Sequence, residues 1–269
     1  MKNVFALLKE NFENLPLIWK LSLYNLKASY ANHYLGLLWT ILMPAAQVGV
    51  FYVVFGLGLR GDRGDVQNVP FLVYLITGIF AFGFISGCVN ASSNAISSQI
   101  NLVTKMKFPS SILLSMSVMN NVISFIIMTL IVLVISLVNG YSEPSHYLVW
   151  FYFMFATIAF SYSIGLIMSS VNILIRDFKN VQANVMRMFF FVTPIFWEPE
   201  GRPPLMSIIM AFNPFAYLLM TFRNALIFDG PAFYGTAADH IYFWSITLFL
   251  FFVGVQVHYR YKDRLVDYL

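Results

Sequence analysis

The 269-residue sequence predicts an all-α integral membrane protein, with six transmembrane helices, an N-terminal amphipathic interface helix and an extracellular re-entrant helix pair between the fifth and sixth spans. Three observations predict it. Hydrophobic residues make up 59% of the chain and charged residues 10%, which leaves almost no length for a separate water-soluble core. Six apolar stretches, each about 20 residues and so able to cross a ~30 Å hydrocarbon layer, fill most of the chain between Gly36 and Tyr259. The cations then sort by side: Lys2, Lys9, Lys20, Lys27, Lys105, Lys107, Arg176, Lys179, Arg260, Lys262 and Arg264 share one face of a six-span arrangement. Arg60, Arg63, Arg202 and Arg223 fall on the other, with Arg187 near a helix start. The positive-inside bias makes the first face cytoplasmic, with both termini on it.

Residues 1–35 form the cytoplasmic interface segment and 36–269 the transmembrane domain. In the first segment Leu17, Leu21, Tyr24 and Ala28 recur at helical spacing on one face, and Ser22, Asn25, Ser29 and Asn32 share the other. Lys20 and Lys27 flank the apolar stripe, where they can snorkel to headgroups, so a helix on the cytoplasmic membrane surface is expected; a soluble helix packed on another protein gives the same pattern. The opening MKNVFALLKENFENLP lacks the apolar core and small-residue cleavage site of a secretory signal, and no processing is expected.

The spans are expected at roughly 36–59, 70–96, 111–138, 147–171, 181–197 and 241–259. In the second, Ser86, Asn90, Ser93 and Ser97 fall on one helical face, which suits either a hydrophilic path or close helix packing. Gly83-x-x-x-Gly87 above it favours close packing. After Trp197 the run Glu198-Pro199-Glu200-Gly201-Arg202-Pro203-Pro204 breaks any helix. Two apolar pieces follow, separated by Asn213-Pro214, a helix start with asparagine as cap and proline in the first turn. The first piece is too short to cross. Counting the second as a crossing puts the basic tail 259–264 outside, against the charge bias, so 198–228 is expected to enter and leave from the outer face.

Several function classes are excluded. The net charge of +4 sits in short loops rather than in a patch, and nucleic acid is not an expected partner; the bilayer is. Gly61-Asp62-Arg63-Gly64 has neither the spacing nor the lysine of a P-loop, so ATP hydrolysis by that route is absent. No Asp or Glu falls within an expected span and Arg187 is the only strong candidate cation there, which argues against proton or sodium coupling. His33, His146, His240 and His258 are scattered, and the Glu198/Glu200 pair sits in a turn, so no catalytic constellation and no metal site is visible. The single cysteine, Cys88, rules out an intrachain disulfide and a cysteine-based metal cluster. What remains is two short cytoplasmic connections with basic and aromatic residues, 101–109 and 176–180. These are either topogenic loops or rigid levers for a cytoplasmic partner.

The run Tyr34-Leu35-Gly36-Leu37-Leu38-Trp39 through Pro44, the turn Lys105-Met106-Lys107-Phe108-Pro109, Arg176-Asp177, Thr193-Pro194-Ile195-Phe196-Trp197, and Asn213-Pro214 with Arg223 resemble the ABC-2 type permeases, exporters of polysaccharides bound to a polyprenyl lipid. Within that family Phe55–Gly61 and Ser22–Lys27 are most similar to the wall teichoic acid exporters. The resemblance implies a homodimer bound to two copies of a separate ATPase subunit that holds ATP and Mg, with no cofactor in this chain. It implies that Leu102, Lys105, Met106, Lys107 and Phe108 belong to a coupling helix docked in the ATPase, with Arg176, Asp177 and Phe178 nearby. It also implies an interface helix carrying Lys20, Tyr24 and Lys27 beside the substrate entrance. Ser86, Asn90, Ser93, Ser97, Phe189 and Phe190 are candidates for lining the translocation path. Aromatic residues, 18% of the chain, can pack on sugar faces or form interfacial belts. The expected function is the permease subunit of an ATP-driven exporter of wall teichoic acid in a bacterial plasma membrane. The alternatives are an O-antigen or capsule exporter and, from another class, a membrane-embedded glycan-transfer enzyme.

Overall fold

In lipid every backbone polar group needs an internal partner, so an apolar chain of this composition folds as helices. The computed structural model describes residues 2–30, 34–54, 64–99, 108–175, 177–199 and 203–261. Ten α-helices lie among them: α1 (Lys2–Glu13), α2 (Leu15–Tyr30), α3 (Trp39–Tyr52), α4 (Phe71–Ser98), α5 (Ser110–Asn139), α6 (Val149–Leu174), α7 (Phe178–Val192), α8 (Pro204–Ala211), α9 (Pro214–Leu226) and α10 (Ala237–Tyr261). Four helical segments are long and apolar enough to cross a membrane: α4, α5, α6 with the 3₁₀ turn that precedes it, and α10.

The central element is α4, which packs against α3, α5, α6, α7 and α9, while α6 also carries α10. Because lipid tails are as apolar as leucine, such contacts rest on close packing and small residues rather than on escape from water. Gly165 of α6 shows the constraint, since a Cβ there meets the Ser92 side chain of α4 at 2.5 Å. Ser92 in turn donates to the Ser161 carbonyl at 3.1 Å. Higher in the bundle, Phe84, Phe125, Phe153 and Phe222 bring α4, α5, α6 and α9 together, with Phe84 stacked on Phe125 at a centroid distance of 4.2 Å.

At the other end of the bundle α1 and α2 pack on α5, and α1 also on α10. Leu7 and Ile18 are buried among Ile96, Ile112, Leu113 and Leu114. The polar face of α2 turns inward: Ser22 donates to the Met116 carbonyl at 3.2 Å, and Asn25 contacts the Met116 sulfur. The α1 side adds hydrogen bonds from Ser111 to Glu10 and from Ser115 to Asn11. Leu17, Tyr24 and Ala28 face outward beside exposed Lys20 and Lys27.

Of the expected spans, the first is described only in part and the fifth ends as a helix earlier than the hydropathy suggests. The first, expected over 36–59, has its described helix over the 14 residues Trp39–Tyr52, about 21 Å at 1.5 Å per residue; residues 55–63 lie outside the described ones. The fifth, expected over 181–197, starts earlier and ends at Val192. Pro194 explains the end: a residue before proline avoids helical backbone, and Thr193 is extended at φ −79°, ψ 140°. Residues 193–199 continue as non-helical chain. Helices α8 and α9 meet at 88°, the geometry of a broken span or of a re-entrant pair. Asn213 caps α9 as expected, its Oδ1 accepting from the Phe215 amide at 2.9 Å, with Pro214 in the first turn.

Replacing Gly165 by leucine should overpack the α4–α6 contact and destabilise the bundle by roughly 1–3 kcal/mol. The midpoint of thermal unfolding in detergent should fall, and fall far less for Gly230→Leu, where no atom lies within 4 Å of an added Cβ.

Candidate functional site

The broken backbone after α7 sets the geometry of the site. In Thr193–Trp197 no helix ladder supplies hydrogen bonds, yet Thr193, Pro194, Ile195 and Trp197 are buried, and unpaired buried carbonyls are costly. Each has a donor. Arg223 of α9, wholly buried, donates through Nη1 to the Pro194 carbonyl and through Nη2 to the Ile195 carbonyl at 2.8 Å. Nη2 also reaches the Tyr74 carbonyl of α4 at 2.9 Å, and Nε lies 3.5 Å from Thr77 Oγ1. The Tyr74 hydroxyl donates to the Trp197 carbonyl at 2.8 Å, and Asn213 Nδ2 donates to Thr193 Oγ1 at 3.1 Å. The Arg223 guanidinium lies 3.5 Å from the Tyr74 ring centroid, a cation–π contact. Among the described residues no carboxylate pairs with it; carbonyl dipoles and the ring carry the charge. Gly78 makes this approach possible, because a Cβ there meets Arg223 Nη2 at 2.6 Å and the Ile195 carbonyl at 2.8 Å.

Beside this node two clefts flank α3. One, of about 560 Å³, lies between α3, α4 and α7 and is lined by Gln47, Ser86, Asn90, Arg187 and Phe190 among others. The second, of about 580 Å³, lies between α3, α4 and α5 and includes Trp39, Gln47, Asn121 and Ser124. Gln47, Ile79 and Gly83 line both. Gly83 contributes open space, with no atom within 4 Å of an added Cβ, whereas Gly87 admits Asn121 of α5 against α4. Among the described side chains of α3, Val48 alone is buried.

The path candidates divide between cleft and packing. Ser86, Asn90 and Phe190 meet on the first cleft. Ser93 is buried and donates to the Val89 carbonyl, and Ser97, exposed, donates to the Asn94 carbonyl. The Phe189 ring packs on Phe215 at 4.6 Å. Of the coupling candidates, Leu102, Lys105, Met106, Lys107 and Arg176 lie outside the described residues. Phe108 is partly buried against the cluster of α1, α5 and α10. Asp177 is exposed at the start of α7 and Phe178 is half-buried. Lys20, Tyr24 and Lys27 are exposed on α2, which packs on α1, on α5 and on the 3₁₀ turn Gly36–Leu38 ahead of α3.

Arg187, the one strong candidate for a cation within an expected span, faces the first cleft. It lies nine residues into α7, about 14 Å along the helix. Its one hydrogen bond among the described residues is to Asn184 Oδ1 at 3.3 Å. Asn90 is oriented from behind by Gln182, which is buried and donates through Nε2 to Asn90 Oδ1 at 3.1 Å. Among the described residues the candidate acids and histidines of an enzyme are not brought together. Asp177 and Glu198 are exposed on different connections, His33 and Glu200 lie outside the described residues, and His240 shares a hydrogen bond with Tyr217. Among the described residues no group of three or more His, Cys, Asp or Glu is placed to hold a metal.

Four or five apolar spans packed into one helical bundle define the class as a multi-pass membrane protein. The chain belongs to the ABC-2 type transporter family, whose description matches residues 16–227. Among curated relatives it is 26% identical over 227 residues to the O-antigen export system permease protein RfbA of Myxococcus xanthus, covering 82% of this chain and 84% of that protein. It is 26% identical over 247 residues to RfbA of Klebsiella pneumoniae, covering 91% and 92%. The polysialic acid transport protein KpsM of Escherichia coli is 22% identical over 245 residues, with the same coverage of 91% and 92%.

Replacing Arg223 by methionine should remove the guanidinium donors from the Ile195 and Tyr74 carbonyls and leave Pro194 only the Tyr74 hydroxyl at 3.3 Å, at about 1–3 kcal/mol for each group left unsatisfied. Gly78→Leu should act in the same direction by displacing the guanidinium. Both should lower the unfolding midpoint in detergent; an unchanged midpoint in Arg223→Met contradicts the role given to this node.

Proposed function

We propose that this chain is the transmembrane permease subunit of an ATP-driven exporter that carries a polyprenyl-diphosphate-linked polysaccharide across a bacterial plasma membrane. The cargo favoured is a polymer of the O-antigen or capsule type. The observation that carries the reading is the cleft lined by Gln47, Ser86, Asn90, Arg187 and Phe190, polar and aromatic side chains between helices of a member of the ABC-2 family. The names of the relatives, O-antigen export and polysialic acid transport, support the cargo class. They lend nothing to wall teichoic acid, the polymer suggested by the Phe55–Gly61 and Ser22–Lys27 runs, and the reading moves accordingly.

The working unit in this reading is two copies of the chain with two copies of a separate ATPase, which binds ATP and Mg. Exposed apolar side chains on α3 (Leu42, Met43, Val50) and on α7 (Val181, Val185, Met188, Phe191) flank the cleft and leave it laterally open, and a second copy set against these helices would enclose it. The turn 102–109 and the 176–178 connection take the push of the ATPase. The α2 face carrying Lys20, Tyr24 and Lys27 lies by the lipid-substrate entrance, and α8–α9 form the re-entrant pair of the outer face.

Depletion of the protein in its native host should remove the polysaccharide from the cell surface while lipid-linked polymer accumulates inside. Loss of polymer from both pools points instead to synthesis, and so to a glycan-transfer enzyme. For the topology, single cysteines at the exposed positions Glu143 and Asp229 should react with an impermeant maleimide in intact cells, and one at Lys179 only after permeabilisation. The reverse labelling overturns the arrangement.

A further inference from the structure

Two arginines lie within the helical body, and their surroundings differ in kind. Arg223 is wholly buried, with carbonyl oxygens on both terminal nitrogens and an aromatic ring beneath it. Its bonding capacity is consumed by the fold. Arg187 is exposed to the cleft, makes one hydrogen bond among the described residues, to a neighbour on its own helix, and has no carboxylate partner among them. A guanidinium offers five N–H donors in a planar fork, so most of its donors remain available. An ionisable residue at membrane depth is expensive and faces a water-filled space or a partner.

Asn90 adds a second donor to the cleft. The Asn90 carbonyl oxygen is engaged by Gln182 Nε2, which leaves its Nδ2 amide, a donor, as the free end of a residue lining the cleft. The Ser86 hydroxyl turns to the Gly83 carbonyl of its own helix at 3.3 Å. A donor-rich, positively charged recess walled by Phe82, Phe190 and Phe191 fits an anionic oxygen group attached to an apolar or glycan body.

We propose that Arg187 and Asn90 form a binding site for a phosphate-type anion on a lipid-linked molecule, held by the guanidinium fork and the Asn90 amide. This rests on the export reading of the cleft and specifies which part of the cargo the cleft holds. Arginine suits the task because its fork pairs with two oxygens of one phosphate. The phosphate could belong to the polyprenyl diphosphate of the cargo or to an anionic bilayer lipid. The chemistry at Arg187 is the same, and the test separates the sources.

The full chain, in nanodiscs of zwitterionic phosphatidylcholine, is titrated with farnesyl diphosphate and with farnesol, and binding is read by native mass spectrometry. Farnesyl diphosphate should bind saturably and at least about tenfold more tightly than farnesol, the worth of one charge-assisted contact. Arg187→Gln should remove that preference, Arg187→Lys should keep part of it, and Asn90→Asp, which sets a carboxylate in the recess, should weaken diphosphate binding while leaving farnesol unchanged. Phosphatidylglycerol added to the disc distinguishes the sources. No competition assigns the site to the cargo diphosphate, and equal competition keeps the anion site but assigns it to bilayer lipid. Equal binding of farnesyl diphosphate and farnesol, or an unchanged preference in a folded Arg187→Gln protein, overturns the proposal. Binding in nanodiscs needs neither ATPase nor export, so failure here is distinct from failure of the depletion experiment.

Discussion

The hydrogen bonds of Arg223 to the Thr193–Trp197 strap are the constraint on which the upper half of the molecule depends. Once Pro194 ends α7, the chain must run through the membrane domain without a helix ladder, which lipid does not tolerate unless protein supplies the partners. One guanidinium ties that strap to α4 through the Tyr74 carbonyl and belongs itself to α9. Three elements distant in sequence are thereby fixed at one point. A lysine could supply the charge, but not several donors in a rigid plane. The bare α-carbon of Gly78 makes the room.

Below this fixed point the structure is less constrained, and the contrast bears on transport. The helices α4, α5, α6 and α9 interlock through phenylalanines and small residues. By comparison, α3 buries one described side chain and has a cleft on either side, while α7 buries Gln182 and Met186. Rigid and loosely seated helices side by side suit a protein that opens a path between elements without unfolding. The two arginines follow the same division, Arg223 spent on holding the frame and Arg187 left open on the cleft.

Hydropathy made the long helices legible, because α4, α5, α6 and α10 each contain an unbroken apolar window. It carried the fifth helix past its end because it weighs side chains and is blind to backbone pairing: Ile195, Phe196 and Trp197 are as apolar as any helix, yet the chain there is bent rather than helical. Pro194 was the available signal. At α9 local chemistry sufficed, since Asn213-Pro214 states both cap and first turn. The stripe Ser86, Asn90, Ser93 and Ser97 was legible as a face, but whether it lined a cleft or packed depended on α7 above and on α6, with Asn172 donating to the Ser93 carbonyl, below. Arg187 was legible as the candidate cation of a span, but the burial of Arg223 was not, because the carbonyls that consume its donors come from segments far apart in sequence.

The account's central claim is that the cleft between α3, α4 and α7 carries the polymer. Its most direct test is a photo-crosslinking amino acid at Phe190, irradiated in cells that make the polysaccharide and compared with the same group at Phe249, an exposed position on α10 away from the cleft. The account predicts polymer-bearing adducts at position 190 and none at 249, with the yield at 190 depending on an active ATPase. Adducts at both positions in equal yield, or none at 190 while export proceeds, would contradict it.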